Sequence, residues 1–318
     1  MSRKTDRIFD LPLYLTVRLI LLIAGLSSTF RNKIIPGVLA FAFRRHKKYK
    51  RIIRKNLEIT GIVSCPADIE AFMEKFYLNT ARSAVETMEY MIKSKKEEDI
   101  DFLFDDHDFI YSLKGKPCIF MTAHLGNFDM FSCFFNRYDM PMNIIARRMD
   151  NPYFDRITKK SRERHGSRVI YQEGSIYYIG TGFQHNESCF MLADHKVPRQ
   201  YGTWVNFFDL PAVTLTVPAY FALKMGVKIV PIFCLKENNS YRIVLVKNLP
   251  LIDGYSKSFN LWANTQRYTQ IIEQVIRNYP DQWLWSYDRW RIEPTKEELE
   301  SCNENYERFI KEGLSFRI

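Results

Sequence analysis

The sequence predicts an α/β fold, a largely parallel sheet flanked by helices, with a hydrophobic helical anchor at the N-terminus. Three observations predict it. From residue 117 onward, short apolar runs alternate with segments of helical period, the pattern of strands joined by helical crossovers. The chain has 318 residues, of which 46% are hydrophobic, enough to bury a sizeable core in one large domain or two small ones. Its first apolar stretch, "LPLYLTVRLILLIAGLSSTF" (11–30), has the length of a bilayer span.

That stretch is interrupted by Arg18, and only Leu19 to Leu26 is continuously free of polar side chains. No Ala-x-Ala-like cleavage site follows, and Arg31 and Lys33 come next, which argues against a cleaved signal peptide. Two readings stay open: a retained membrane-associated helix, spanning or half-sunk with Arg18 snorkelling to headgroups, or a buried core helix. A second apolar piece, "IIPGVLAFAF" (34–43), runs into "RRHKKYKRIIRK" (44–55), the densest basic run in the chain. A solvated helix face, anionic lipid and nucleic acid all fit such a run. Its place directly behind apolar helices favours lipid, and no nucleic-acid module accompanies it. Residues 1–55 are therefore set apart as a membrane-associating segment with a basic collar, and 56–318 as the α/β domain.

Residues 67–93 carry Ile69, Phe72, Met73 and Phe76, then Val85, Met88 and Ile92, at helical spacing, and form one long helix or two shorter ones. "PCIFMTA" is a strand and "NFDMFSCFFNRY" a helix; "MNIIAR" is a strand. "NPYFDRITKKSRERHG" is a helix with Asn151 as N-cap, Pro152 in the first turn and Gly166 at its stop. "SRVIYQ" and "SCFMLAD" are strands, "VTLTVPAYFALKMG" a helix ended by Gly226, and "VKIVPIFCL" and "YRIVLVKN" strands. "NLWANTQRYTQIIEQVIRNY" is a helix stopped by Pro280. There is no internal repeat and no long linker.

Composition narrows the function classes. Disorder is excluded by the hydrophobic content. A net charge of +10 favours an anionic partner: acidic lipid, phosphorylated substrate, acidic carrier protein or nucleic acid. The six cysteines (65, 118, 133, 189, 234 and 302) form no Cys-x-x-Cys pair, which removes support for zinc-ribbon and thioredoxin readings. Cys118, Cys133, Cys189 and Cys234 lie in apolar runs and read as small buried hydrophobes.

Parallel sheets place their sites beyond the C-terminal ends of strands. His124 follows "CIFMTA" and Asp194 follows "SCFMLA", so both stand at such ends. A hydroxyl is a poor nucleophile at neutral pH, and a histidine can take its proton as it attacks a carbonyl. A carboxylate behind that histidine fixes its tautomer. With Asn127 capping the next helix, Asp129 sits in the first turn, and the short Leu-Gly-Asn link lets it fold back toward His124. The competing reading is a histidine and an aspartate that merely cap local backbone groups.

The motif "AHLGNFD" resembles the His-x4-Asp/Glu motif of glycerolipid-type acyltransferases, and its form is similar to that of the late lipid A acyltransferase family. "RRMDNPYFDRITKKSRERHG" resembles that family's Arg-x-x-x-Asn-Pro segment, "LADHKVPRQYGTWVNFFDLPAVTLTVPAYFALKMGVKIVP" its Asp-His/Gln block and aromatic turn, and "PDQWLWSYDRWR" its Gln-Trp-x-Trp…Arg-Trp signature. "RKNLEI" (54–59) and the apolar segment ahead of it also match, so the likeness covers nearly the whole chain in order. It implies a glycerolipid-acyltransferase-like fold. It also implies transfer of a fatty acyl chain from acyl carrier protein to a hydroxyl of a phosphorylated glucosamine lipid, an anionic glycolipid, at the cytoplasmic face of a bacterial inner membrane. By motif, His124 becomes the general base and Asp129 its partner, while Arg147, Asp194 and Asn127 line the substrate side, with Arg147 bracing the site or gripping the acceptor's phosphate. Membrane lipids are expected partners and nucleic acid is not. Two departures concern the acceptor: position 288 holds Asp where the family shows His, Arg or Asn, and residues 172–188 lack the basic residues common there. Related enzymes acylate phosphatidylinositol mannosides or amino-acid lipids.

Several marked residues lie outside those motif roles. His195 beside Asp194 invites a metal reading with His124, but no His-x3-His or His-Glu-x-x-His spacing supports one, so neither a metal nor a cofactor is expected. Trp283, Trp285 and Trp290 read as core. Arg289 and Arg291 read equally as phosphate contacts or surface, Arg162 and Arg164 as surface, and His165 as a helix-end residue.

Overall fold

The structure, a computed structural model of the chain, describes residues 10–24, 29–63, 65–93 and 100–318. Four helices open it: α1 (Asp10–Ala24), α2 (Ile35–Arg45), α3 (Lys47–Thr60) and α4 (Pro66–Lys93). There follow β1 (Phe102–Leu103), α5 (His107–Ser112), β2 (Cys118–Thr122), α6 (Phe131–Asn136), β3 (Met142–Ala146), α7 (Pro152–Arg162), β4 (Arg168–Tyr171), α8 (Ser175–Gln184) and β5 (Ser188–Leu192). The chain ends with β6 (Gly202–Phe207), β7 (Leu210–Leu215), α9 (Val217–Met225), β8 (Lys228–Glu237), β9 (Ser240–Leu245), α10 (Lys257–Asn278) and α11 (Lys296–Lys311).

Seven strands form one sheet in the order β1-β9-β8-β2-β5-β3-β4, while β6 and β7 pair as a separate hairpin. Every neighbour pair of the large sheet is parallel except β8 with β9. The expected α/β architecture with a mostly parallel sheet is what the chain adopts. Parallel sheets are covered on both faces, so their central strands are apolar throughout. β2 shows this directly. Ile119 and Met121 face a core built with Ile53, Leu57, Met73 and Phe76 of α3 and α4. Cys118 and Phe120 face the opposite core, with Phe131, Phe134 and Phe135 of α6. The four cysteines placed in apolar runs are buried there with free thiols.

Residues 66–93 are one helix, and Asn151 caps α7 as expected, its side-chain oxygen accepting from the N–H groups of Tyr153 at 2.9 Å and Phe154 at 3.3 Å. α7 itself is shorter than its pattern, stopping at Arg162 before a tight turn at Arg164–Gly166. The side chains of Ile92 and His165 lie outside the described residues. The segment 213–215, expected to open a helix, instead completes β7, and the helix starts only after Thr216. The reason is the hairpin turn, made by Phe208 and Asp209 at φ values of 57° and 58°. Two-residue hairpins usually announce themselves with Asn-Gly or Asp-Gly at such positions, and this one does not.

Two structural facts bear on the N-terminal part. The domain boundary expected after residue 55 falls inside α3, whose Ile53 and Leu57 pack in the main core and whose Asn56 amide donates to the carbonyls of Trp285 and Tyr287, both at 2.8 Å. Nor is the basic run uniformly free. Arg44 donates to Glu74 at 2.9 Å, Arg54 pairs with Glu70, and Lys55 reaches Asp288 at 3.6 Å, so these three charges tie α2 and α3 to the body. Arg45, Lys47, Lys48 and Arg51 remain exposed. α1 covers the first part of the 11–30 stretch, and residues 25–28 lie outside the described residues. Among the described residues, no helix is long and apolar enough to cross a membrane. α1 instead lies along the body, where Tyr14 stacks on Tyr153 at 5.5 Å, and leaves Leu11, Leu13, Leu15 and Leu19 exposed.

Candidate active site

His124 and Asp194 leave the sheet side by side because β2 and β5 are parallel neighbours, with Thr122 opposite Leu192. The ladder continues one step further, the Ala193 N–H donating to the Thr122 carbonyl at 2.9 Å. The next residues on the two strands are then in reach. Asp194 is fully enclosed, and its Oδ1 lies 2.8 Å from Nδ1 of His124. Its Oδ2 accepts from the backbone N–H of His124 at 3.0 Å and from the indole N–H of Trp283 at 2.9 Å. Burial raises the pKa of this carboxyl, but the neighbouring His124 charge and the hydrogen bonds from His124 and Trp283 outweigh it and hold it well below the usual carboxylate range. An ionised carboxylate only accepts, so Nδ1 carries the proton. In its neutral form such a ring presents its lone pair at Nε2, and the side chain is 22% exposed.

The link after His124 is held by the backbone of two other segments. Gly126 donates to the Gln282 carbonyl at 3.0 Å, Asn127 donates to the Cys234 carbonyl at 2.9 Å, and the Leu284 N–H donates back to the His124 carbonyl at 2.9 Å. Gly126 has φ +65°, and a Cβ there would lie 2.1 Å from the Cys234 carbonyl oxygen. The glycine of the motif is thus required twice, for its backbone conformation and for the close approach to β8.

The structure reassigns several expected roles. Asp129 does not sit on Nδ1 of His124; it receives Arg162, and the tautomer-fixing position is occupied by Asp194. The physical reason is the sheet register, which sets the end of β5 beside His124, while the turn after β2 directs Asp129 to Arg162. Arg162, expected at the surface, is drawn in from the end of α7 by this pairing. Asn127 neither caps its helix nor faces substrate. It is buried, accepting from Thr87 Oγ1 at 2.9 Å and donating to Tyr241 OH at 3.4 Å, so it braces the loop from behind. Arg147 is largely exposed, 4.0 Å from Asp150, in a depression shared with Lys159 and Arg162. It braces neither carboxylate: Asp129 is held by Arg162, and Asp194 by His124 and Trp283. Arg289 is enclosed and donates to the Val213 carbonyl at 2.7 Å and to Thr214 Oγ1, and burial pulls its pKa down to about 10, so it is a structural cation rather than a phosphate contact. Arg164 turns inward to the Tyr90 and Met91 carbonyls. The three tryptophans are core residues as expected, with Trp283 also a ligand of Asp194.

The ring of His195, for which the motifs assign no role, lies flat against His124, with centroids 3.5 Å apart and planes at 3°. One ligand atom each from His124, Asp194 and His195 lie within 4.8 Å of one another. They do not suit a metal: in-plane lone pairs of parallel rings do not converge on one ion, and both Asp194 oxygens already accept.

Residues 3–292 match the bacterial lipid A biosynthesis acyltransferase family. The chain belongs to that family. The acyltransferase is also similar, 22% identical over 197 residues, to the phosphatidylinositol mannoside acyltransferase of Mycolicibacterium smegmatis (strain ATCC 700084 / mc(2)155). That similarity covers 61% of this chain and 63% of the relative, so the chain spans less than two thirds of the protein it matches. The site suits acyl transfer to a hydroxyl: a buried carboxylate, an oriented imidazole and a free ring nitrogen at the mouth of the sheet.

Proposed function

We propose that this acyltransferase moves a fatty acyl chain from the thioester of acyl carrier protein to a hydroxyl of a lipid A precursor, at the cytoplasmic face of a bacterial inner membrane. The observation that carries the reading is the Asp194–His124 hydrogen bond at 2.8 Å, found in a chain of this family. His124 Nε2 takes the acceptor hydroxyl's proton as its oxygen attacks the thioester carbonyl. The tetrahedral intermediate collapses, the C–S bond breaks, and the imidazolium returns the proton to the leaving thiolate. Asp194 keeps the tautomer and carries the transient positive charge. Arg147, with Lys159 beside it, grips an acceptor phosphate. The exposed leucines of α1, with Val38, Leu39 and Phe41 of α2, sink into the headgroup region as a half-sunk anchor, and Arg45, Lys47, Lys48 and Arg51 meet anionic headgroups.

A second acceptor is favoured by one observation, the similarity to a phosphatidylinositol mannoside acyltransferase. The test offers labelled acyl carrier protein thioester, with acyl coenzyme A in parallel, to lipid A precursor and to phosphatidylinositol mannoside in mixed micelles. Label in the lipid A precursor from the carrier-protein thioester supports the proposal. Label in the mannoside alone moves the assignment to the second acceptor, transfer only from the coenzyme A thioester removes the carrier protein, and label in no lipid removes acyl transfer to either.

A further inference from the structure

The two points that hold the His124 ring, its backbone and its Nδ1 hydrogen bond, do not define the ring's plane. A ring can still rock about the Nδ1–Asp194 axis, swinging Nε2 away from a substrate hydroxyl. What lies on its face therefore matters. His195 covers that face at 3.5 Å and 3°. Tyr287 covers the far face of His195 at 3.6 Å and 7°. The Lys196 ammonium closes the column 4.2 Å from the Tyr287 ring centre, held there by donating to the Asp288 carbonyl at 2.9 Å. Tyr287 is fixed in turn: its N–H donates to the Leu284 carbonyl at 3.1 Å, its hydroxyl to the Lys196 carbonyl at 3.4 Å, and its own carbonyl accepts from Asn56. The column thus runs from the candidate base to the segment that carries Trp283.

We infer that His195 and Tyr287 are positioning residues for the acyl transfer, a stacked wall that holds the His124 imidazole in the plane from which Nε2 meets the acceptor hydroxyl. The inference rests on the proposal that His124 is the general base. Two features say that His195 works through its face. Its Nε2 is buried and no protein group hydrogen-bonds to it, whereas both ring faces are in stacking contact. Burial also pulls its pKa down to about 3; His124, Arg289 and Lys196 push the same way, and Asp194 opposes them. When His124 gains its proton, it therefore meets a neutral ring face, which attracts a cation, and not a second positive charge.

The experiment uses the full-length, detergent-solubilised protein and compares His195→Ala with His195→Phe. Loss of the wall should lower kcat by about tenfold or more in His195→Ala, since small misplacement of a reacting group is costly, with acceptor KM changed by less than about twofold. His195→Phe restores a neutral ring face and should recover kcat to within about threefold of wild type. Tyr287→Leu against Tyr287→Phe reads the same wall from its other side, with the leucine variant impaired and the phenylalanine variant not, and serves if His195→Ala does not fold. Wild-type kcat in folded His195→Ala and Tyr287→Leu would overturn the inference, as would His195→Phe as impaired as His195→Ala. His124→Ala is assayed alongside. Activity retained there removes the general-base reading itself, whereas activity lost there with unimpaired wall variants removes only the wall.

Discussion

Arg162 donates to one oxygen of Asp129 through two nitrogens, Nε at 3.1 Å and a terminal amino group at 2.5 Å. The contact joins the turn after β2 to the end of α7, and both side chains are about four-fifths enclosed. A charge so placed depends on its partner. Asp129→Asn and Arg162→Gln should therefore each lower stability, and the double substitution should fall short of their sum by about 1–2 kcal/mol. A denaturant double-mutant cycle measures the coupling. Additive effects would show that the two residues do not act as a unit.

Asp194→Asn should cost more in rate than any change at Asp129 that leaves the protein folded. An amide cannot hold the Nδ1–H tautomer as a carboxylate does, and the loss expected is on the order of 10²–10⁴ in kcat. Trp283→Phe removes one of three donors to the same carboxylate and should cost about 1–2 kcal/mol of stability, with a smaller loss of rate. Single-turnover acyl transfer compares the variants. Equal rates for Asp194→Asn and wild type would move the dyad elsewhere.

The folded protein should lose stability in acid before its carboxylates titrate. His195 is lowered from 6.5 to about 3 on folding. Between those values the unfolded chain binds a proton that the folded chain refuses, so this contribution is complete above pH 6.5 and is lost as pH falls toward 3. Asp194, also depressed, acts in the same direction lower down, present above 3.8 and lost below it. Unfolding midpoints measured between pH 7 and 4 should fall in wild type and stay flatter in His195→Phe. Parallel profiles for the two would contradict the assignment.

Much of this was legible in the chain. The strand–helix alternation marked β2, β3, β4, β5, β8 and β9, and the position of His124 and Asp194 at strand ends marked both members of the dyad. Their partnership was not legible, because it comes from the β2–β5 register and those residues are 70 positions apart. The local His-x4-Asp spacing pointed to Asp129 instead. The β6–β7 hairpin was hidden by a turn of Phe208 and Asp209 in place of glycine or asparagine. α11 had a readable signal in the Thr-x-x-Glu capping box at Thr295 and Glu298, although its apolar face is reduced to Cys302 and Phe309. Asn127 looked like a helix cap from its place before a helix, and only the packing of α4 and β9 shows it turned inward.

Membrane attachment is expected to be electrostatic as well as apolar. Replacing Arg45, Lys47, Lys48 and Arg51 with Gln removes four exposed charges without touching the Arg44, Arg54 and Lys55 pairs. Each charge near an anionic surface is worth about 1 kcal/mol, so the variant should float poorly with anionic vesicles and show a flatter salt dependence. Unchanged, salt-insensitive binding would place the attachment on other residues.

The central claim is that His124 takes the acceptor's proton. Its most direct test is transfer of labelled acyl chains from carrier protein to lipid by purified wild-type protein and by His124→Ala, with folding checked by circular dichroism. The account predicts a loss on the order of 10²–10⁴ in transfer rate for a variant that stays folded. Turnover by folded His124→Ala near the wild-type rate would contradict it.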